Sequence, residues 1–195
     1  VGTPRRKWLE ESDYLAFEAL AEQRHEYVAG IAYAMAGAGE RHNRIALNVA
    51  VQLRAAARGS VCGVYVSDMK VRVAGGPAYY YPDVMLSCEA ATPDTVYKEA
   101  PCLIVEVLSA STAAIDTREK LQAYRSISSL RCYVLVQSEV VDVTYHVRGT
   151  DGSWLVATLE HGECLEVVCG PVQASLTLED IYEDTGLAVA ARGSP

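Results

Sequence analysis

The spacing of apolar and polar residues changes several times along the chain, and each change marks a new element. Leu15, Ala16, Ala19 and Leu20 recur at helical spacing and predict a short helix over 13–22, capped by Ser12. "RHEYVAGIAYAM" then reads as two short β runs about Gly30, a hairpin. "AGAGERHN" is a Gly-rich loop leading into the longest helix, predicted over 43–58. Ile45, Val49, Leu53 and Ala56 form its stripe, and Gly59 ends it.

Beyond that helix the period drops to two. "CGVYVSD", "MKVRVAG", "YYPDVMLSC" and "CLIVEVLS" read as strands, followed by a helix over about 113–127 with Ser111 or Thr112 as cap. "CYVLVQ" is a further strand. "VVDVTYHVR", "SWLVATLE" and "CLEVV" read as an antiparallel meander with Gly-containing turns, and "TLEDIYED" as a short acidic helix. No internal repeat, low-complexity segment or linker interrupts this order. It predicts one α/β (α+β) domain over residues 1–195.

Two positions break the apolar pattern. "CLIVEVLS" has apolar residues on both faces, as a central strand covered on both sides does, yet it holds Glu106. "YYYPDVMLSC" holds Asp83 directly after Pro82, which implies a strand start there. A buried carboxylate is costly unless it is paired or bound to a metal. The 23-residue offset lets the two strands be neighbours, with both carboxylates at one end of a sheet. Oxygen ligands of this kind suit Mg²⁺ or Mn²⁺; a pair of core salt bridges is the structural alternative.

The helix after "CLIVEVLS" adds a cation. Ala113, Leu121, Tyr124 and Ile127 fall on one face at 100° per residue, and Lys120 falls inside that arc. A lysine there either snorkels, forms a structural pair with Glu106, or serves a site. His42 precedes the long helix, where capping or packing competes with a catalytic role. Glu26 lies in the first hairpin strand, next to His25. Lys70 and Arg72 alternate in "MKVRV" and read as an exposed strand face.

Charge and cysteines narrow the picture. The net charge of −8 argues against a surface that grips nucleic acid everywhere. Residues 1–136 balance 15 Lys/Arg against 15 Asp/Glu, while 137–195 hold 2 against 10. A phosphate-binding face is therefore expected only on the first part, from Arg41, Arg44, Lys70, Arg72 and Arg118. The six cysteines lack Cys-x-x-Cys spacing and read as reduced core thiols of a cytoplasmic protein. No apolar run suggests a membrane span, and no signal-peptide pattern opens the chain, although Val1 suggests a missing native N-terminus.

The segments "RHEYVAG", "MAGAGERHNRIALNV", "SDMKVRV", "YYYPDVMLSC" and "APCLIVEVLSASTAAIDTREKLQAYRSISSLRCYVLVQ" together resemble the Uma-two family of restriction-endonuclease-like proteins, within the PD-(D/E)XK nuclease superfamily. The resemblance runs from about Glu10 to Tyr182. It implies a restriction-endonuclease-like core over about 40–137, with a mixed central sheet flanked by helices, an N-terminal hairpin and an acidic C-terminal β extension over about 138–187. It also implies that Asp83, Glu106 and Lys120 are catalytic. Asp83, Glu106 and the backbone carbonyl of Val107 would hold Mg²⁺ (or Mn²⁺), with His42 and Glu26 secondary. The superfamily lysine normally sits two residues after the strand acid, where this chain has Leu108; in this family it moves to the helix, matching Lys120. Ala110 and Cys132 depart from a usual proline and a frequent acid, away from these ligands. The implied activity is metal-dependent endonuclease cleavage of DNA, with a homodimer suggested by analogy. A non-catalytic binding module that keeps the fold and a phosphoesterase acting on small nucleotides are the alternatives.

Overall fold

The computed structural model describes residues 8–74, 76–90, 92, 95–109 and 116–189. Helix α1 (Glu11–Leu20) lies two residues earlier than predicted and turns a different face inward. Tyr14 and Glu18 are its buried residues, and Leu20 is exposed. The predicted aliphatic stripe is thus corrected. The helix is anchored by an aromatic with a polar end: Tyr14 stacks on Tyr27 with ring centroids 4.7 Å apart, and its hydroxyl donates to the His25 carbonyl at 2.7 Å.

Strands β1 (His25–Val28) and β2 (Ile31–Ala34) form the predicted hairpin. Its two turn residues, Ala29 and Gly30, both take positive φ (45° and 88°), the conformation whose twist matches that of the flanking strands. Helix α2 (Glu40–Ala56) starts three residues before the predicted boundary and buries Ile45, Val49 and Leu53 as expected, with Ala46 and Ala50 beside them.

Three sheets follow. Strands β3 (Gly63–Val66), β6 (Val84–Ser87), β8 (Pro101–Leu108), β9 (Cys132–Gln137), β10 (Val143–Arg148) and β11 (Trp154–Thr158) form the central one, in the order β11-β10-β9-β8-β6-β3. Its β8–β9 pair is parallel, and the rest are antiparallel. Strands β4 (Lys70–Val73), β5 (Ala78–Tyr80) and β7 (Tyr97–Lys98) join the hairpin in the order β2-β1-β5-β4-β7. The "YYYPDV" run therefore crosses between two sheets. Tyr81, Pro82 and Asp83 are the crossing residues, where a proline has no N–H to lose from a ladder.

The C-terminal meander is corrected in one respect. Strand β12 (Leu165–Cys169) leaves the central sheet and pairs with β13 (Val172–Leu176), a strand absent from the prediction. "VQASL" carries a weak signal because two of its five residues are small, yet Val172, Ala174 and Leu176 all point inward beside α2.

All eight residues of β8 are buried. Leu103, Val105 and Val107 face the main core, with α2, the β12–β13 hairpin and the closing helix (Leu178–Tyr182). Ile104 and Leu108 face a second core with Tyr80, Met85, Tyr124 and Tyr133. Glu106 follows the second alternation.

Four cysteines are cross-linked, Cys62 to Cys88 and Cys102 to Cys169, which corrects the reading of six reduced thiols. The partners lie 26 and 67 residues apart, so spacing could not pair them. The expected cytoplasmic setting loses the support it drew from reduced thiols. Among the described residues, no helix is long and apolar enough to cross a membrane.

Candidate active site

The register of β6 on β8 builds the site. Val84 pairs with Val105 in an antiparallel ladder, so one further step sets Asp83 opposite Glu106. Alternation back from Met85 and onward from Ile104 puts both carboxylates on the same face of the sheet. The Val107 N–H donates to Asp83 Oδ2 at 2.7 Å. Along a strand a residue's N–H and C=O point to the same side, so the Val107 carbonyl also faces past the end of β6.

Each carboxylate is held by a second group. His42, in the first turns of α2, meets Asp83 Oδ1 at 2.8 Å through Nε2. An ionised carboxylate only accepts, so Nε2 carries the proton in this contact. Glu106 Oε1 accepts from the Tyr124 hydroxyl at 2.9 Å and from Lys120 Nζ at 3.3 Å. Burial, and next the charge of Glu106, push the Tyr124 hydroxyl well above its ordinary pKa, so it stays a donor.

Lys120 sits where a π-helical turn (Asp116–Lys120) passes into helix α3 (Leu121–Arg125). The predicted inward arc is met at Lys120, Tyr124 and Ile127, all buried. The predicted caps Ser111 and Thr112, with Ala113, lie outside the described residues. A π turn shifts side-chain phase relative to an α-helix, and such turns recur at functional sites. Lys120 pairs with Glu26 at 2.8 Å, closer than with Glu106. Glu26 Oε1 also accepts weakly from the Tyr81 N–H at 3.4 Å.

All six sequence-predicted residues, Glu26, His42, Asp83, Glu106, Val107 and Lys120, line one cleft of about 1100 Å³. Three further residues support them. Tyr124 holds Glu106. Tyr81 spans from Glu26 to a buried carboxylate, Glu18, to which its hydroxyl donates at 2.8 Å. Glu18 also accepts from the His25 N–H at 2.9 Å. Only Tyr124 left a sequence signal, by sharing the inward arc with Lys120; Glu18 was masked by the apolar spacing assigned to its helix.

The expected phosphate face is not assembled. Arg41 reaches the cleft but pairs with Glu139 at 2.6 Å, and Arg44 pairs with Glu40. Arg72 is bound by Glu11 and Glu99. Lys70 is buried rather than on an exposed strand face, and burial lowers its pKa. Arg118 is exposed.

The donor set fits a hard, octahedral cation that keeps part of its water shell. Two carboxylates on adjacent strands and one inward carbonyl are oxygen donors, and Mg²⁺ typically takes one or two carboxylates and keeps several waters. Among the described residues, no three His, Cys, Asp or Glu side chains gather as a metal-binding set.

Comparison with known proteins places the chain in a family. Residues 11–179 match the model of the Uma2 family, described as "Putative restriction endonuclease". Two uncharacterized proteins of Synechocystis sp. are similar. One, slr1290, is 32% identical over 181 residues, covering 92% of this chain and 93% of the relative. The other, sll1609, is 33% identical over 164 residues, covering 83% and 92%. A crystal structure from Anabaena variabilis, described as "a putative nuclease belonging to DUF820", superposes with a TM-score of 0.69 at 12% identity, covering 88% of this chain and 96% of that one. At that identity the superposition shows the shared restriction-endonuclease-like fold alone. The match over most of its length, together with relatives above 30% identity, makes this chain a member of the Uma2 family.

Proposed function

We propose that the protein is a metal-dependent endonuclease that hydrolyses phosphodiester bonds of DNA. The observation that carries this reading is the Asp83–Glu106 pair, facing across the β6–β8 ladder at the floor of a cleft with Lys120 against Glu106. Asp83, Glu106 and the Val107 carbonyl would hold Mg²⁺ or Mn²⁺. Such an ion supplies Lewis acidity toward a phosphate oxygen and a more acidic water.

The chain's own residues do the rest. Lys120 provides a fixed positive charge beside the phosphate position, where charge develops as the bond breaks. Glu26 holds the Lys120 ammonium in place. Tyr124 fixes the Glu106 carboxylate, and His42 with the Val107 N–H fixes Asp83, so neither ligand must reorganise when substrate enters.

A binding module that uses the cluster structurally is the second reading, favoured by the 2.8 Å Lys120–Glu26 pair, which already neutralises the lysine. One experiment separates the two. Plasmid and oligonucleotide DNA are incubated with Mg²⁺ or Mn²⁺, with the wild type and with Asp83→Asn. The nuclease reading expects cleavage that needs the metal and is lost in the variant. Thermal stabilisation by the metal with no cleavage of any nucleic acid would establish the binding module.

A further inference from the structure

Resting on that nuclease reading of the cleft, we propose that it takes an unpaired stretch of nucleic acid in preference to a duplex. The first argument is shape. At about 1100 Å³ the cleft is only slightly above the roughly 300–1,000 Å³ of small-molecule pockets, room for a few nucleotides. The Glu106 and Asp83 side chains at its floor are 4% and 18% exposed. A phosphate must descend between walls to reach them, which a flexible single strand does and a rigid double helix resists.

The second argument is charge. Eight carboxylates line the cleft against three cationic side chains, Arg24, Arg41 and Lys120. Each of the three is in an ion pair, with Asp68 at 3.2 Å, Glu139 at 2.6 Å and Glu26 at 2.8 Å. Duplex DNA carries one charge per about 1.7 Å of axis, twice the density of one strand, and its affinity comes largely from phosphate neutralisation. This lining penalises the duplex more.

The third argument is the apolar part of the lining. Tyr33, Ala34, Met35, Ala36 and Ala38, from β2 and the loop after it, form an apolar side of the same cleft, with Tyr33 41% exposed. Aromatic and thioether groups offer base faces a stacking surface. In a duplex those faces are hidden in the stack, and only an unpaired base can lie against such a wall. An unpaired nucleotide brings a phosphate for Lys120 and a proposed metal together with a flat base face for this apolar lining.

The test is equilibrium binding of the full chain to labelled 12-nucleotide probes by fluorescence anisotropy. Ca²⁺ replaces Mg²⁺, and probe integrity is checked on a gel. Probes are a DNA strand, the same strand as RNA, and its blunt DNA duplex. The expected result is a single strand bound at least tenfold tighter than the duplex, with a shallow salt dependence. Tyr33→Ala should weaken single-strand binding about tenfold and leave duplex binding unchanged, while Tyr33→Phe restores it. Comparing the DNA and RNA strands identifies which sugar the cleft favours. The inference is overturned if the duplex binds as tightly as the strand, if Tyr33→Ala has no effect, or if no probe binds. Cleavage in Mg²⁺ is scored separately. Duplex cutting without strand preference would sink this inference and keep the nuclease. Strand preference without any cutting would keep the inference and sink the nuclease.

Discussion

Glu106 and Lys120 are charged side chains sealed in a sheet–helix junction, 4% and 7% exposed, and such groups persist only where their partners are exact in geometry. The Tyr124 hydroxyl is one partner that carries no charge of its own. Tyr124→Phe keeps the ring packing against Tyr80 and Tyr133 and removes only the bond to Glu106. A bond to a charged acceptor contributes about 1.5–3 kcal/mol, so urea denaturation should show a loss of that size, with the far-ultraviolet circular dichroism unchanged. A different residue sets an acid limit. His146 is buried beside the Arg125 guanidinium, 3.1 Å from Nδ1. Burial first, and that cation second, lower its pKa below 6.5. The unfolded chain then binds the extra proton, so stability is fully present above pH 6.5 and falls as the pH drops toward the folded value. Thermal melts from pH 7.5 down to 5 should show this decline, and His146→Gln should flatten it.

At the scale of elements, local chemistry sets two boundaries sharply. Thr177 caps the closing helix in a reciprocal box: its hydroxyl accepts from the Asp180 N–H at 3.1 Å, and Asp180 accepts from the Thr177 N–H at 3.1 Å. Thr177→Ala should cost about 1 kcal/mol, read as a shift in urea midpoint at constant slope. Gly30 sits at φ +88° in the hairpin turn, and a Cβ there would fall 2.4 Å from the Trp8 ring. Gly30→Val adds backbone strain to that overlap, at about 1–3 kcal/mol for the strain alone. Since Glu26 lies on this hairpin, the variant should also disturb the Lys120 pair, visible as a greater loss of the proposed metal-dependent DNA cleavage than of secondary structure. The hairpin and long helix were readable because turn residues and a 3.6 period are local signals. The inward face of helix α1 is not legible in the sequence because it is a tyrosine and a glutamate, whose partners lie on β1 and at Tyr81.

The whole molecule is tied together at the sheet end where Cys62, Cys88, Cys102 and Cys169 meet, with the sulfurs of Cys62 and Cys88 both approaching the Cys169 carbonyl. One bridge fastens the strand after α2 to the end of β6, and the other fastens β8 to the C-terminal hairpin. Reduction should lower the melting temperature, since each bridge restricts the unfolded chain. By loop-closure entropy the 67-residue bridge contributes about 0.8 kcal/mol more than the 26-residue one. Melts of Cys102→Ala/Cys169→Ala and Cys62→Ala/Cys88→Ala in parallel check both the sign and the order. Cys132 takes no part: burial pushes its thiol up to about 12, leaving it an inert core residue.

The sequence by itself determined the strands that bear Asp83 and Glu106, the inward phase of Lys120, and the family. Each of these is carried by local periodicity or by a contiguous motif. Tertiary structure alone decided that Glu26 lies nearer to Lys120 than Glu106 does, that Tyr81 and Glu18 stand behind the site, that four of the cysteines are paired, and that Arg41 and Arg72 are bound to carboxylates instead of facing phosphate. Those are encounters between side chains tens of residues apart. Their distances depend on sheet order and strand register, which no pattern within a single segment encodes.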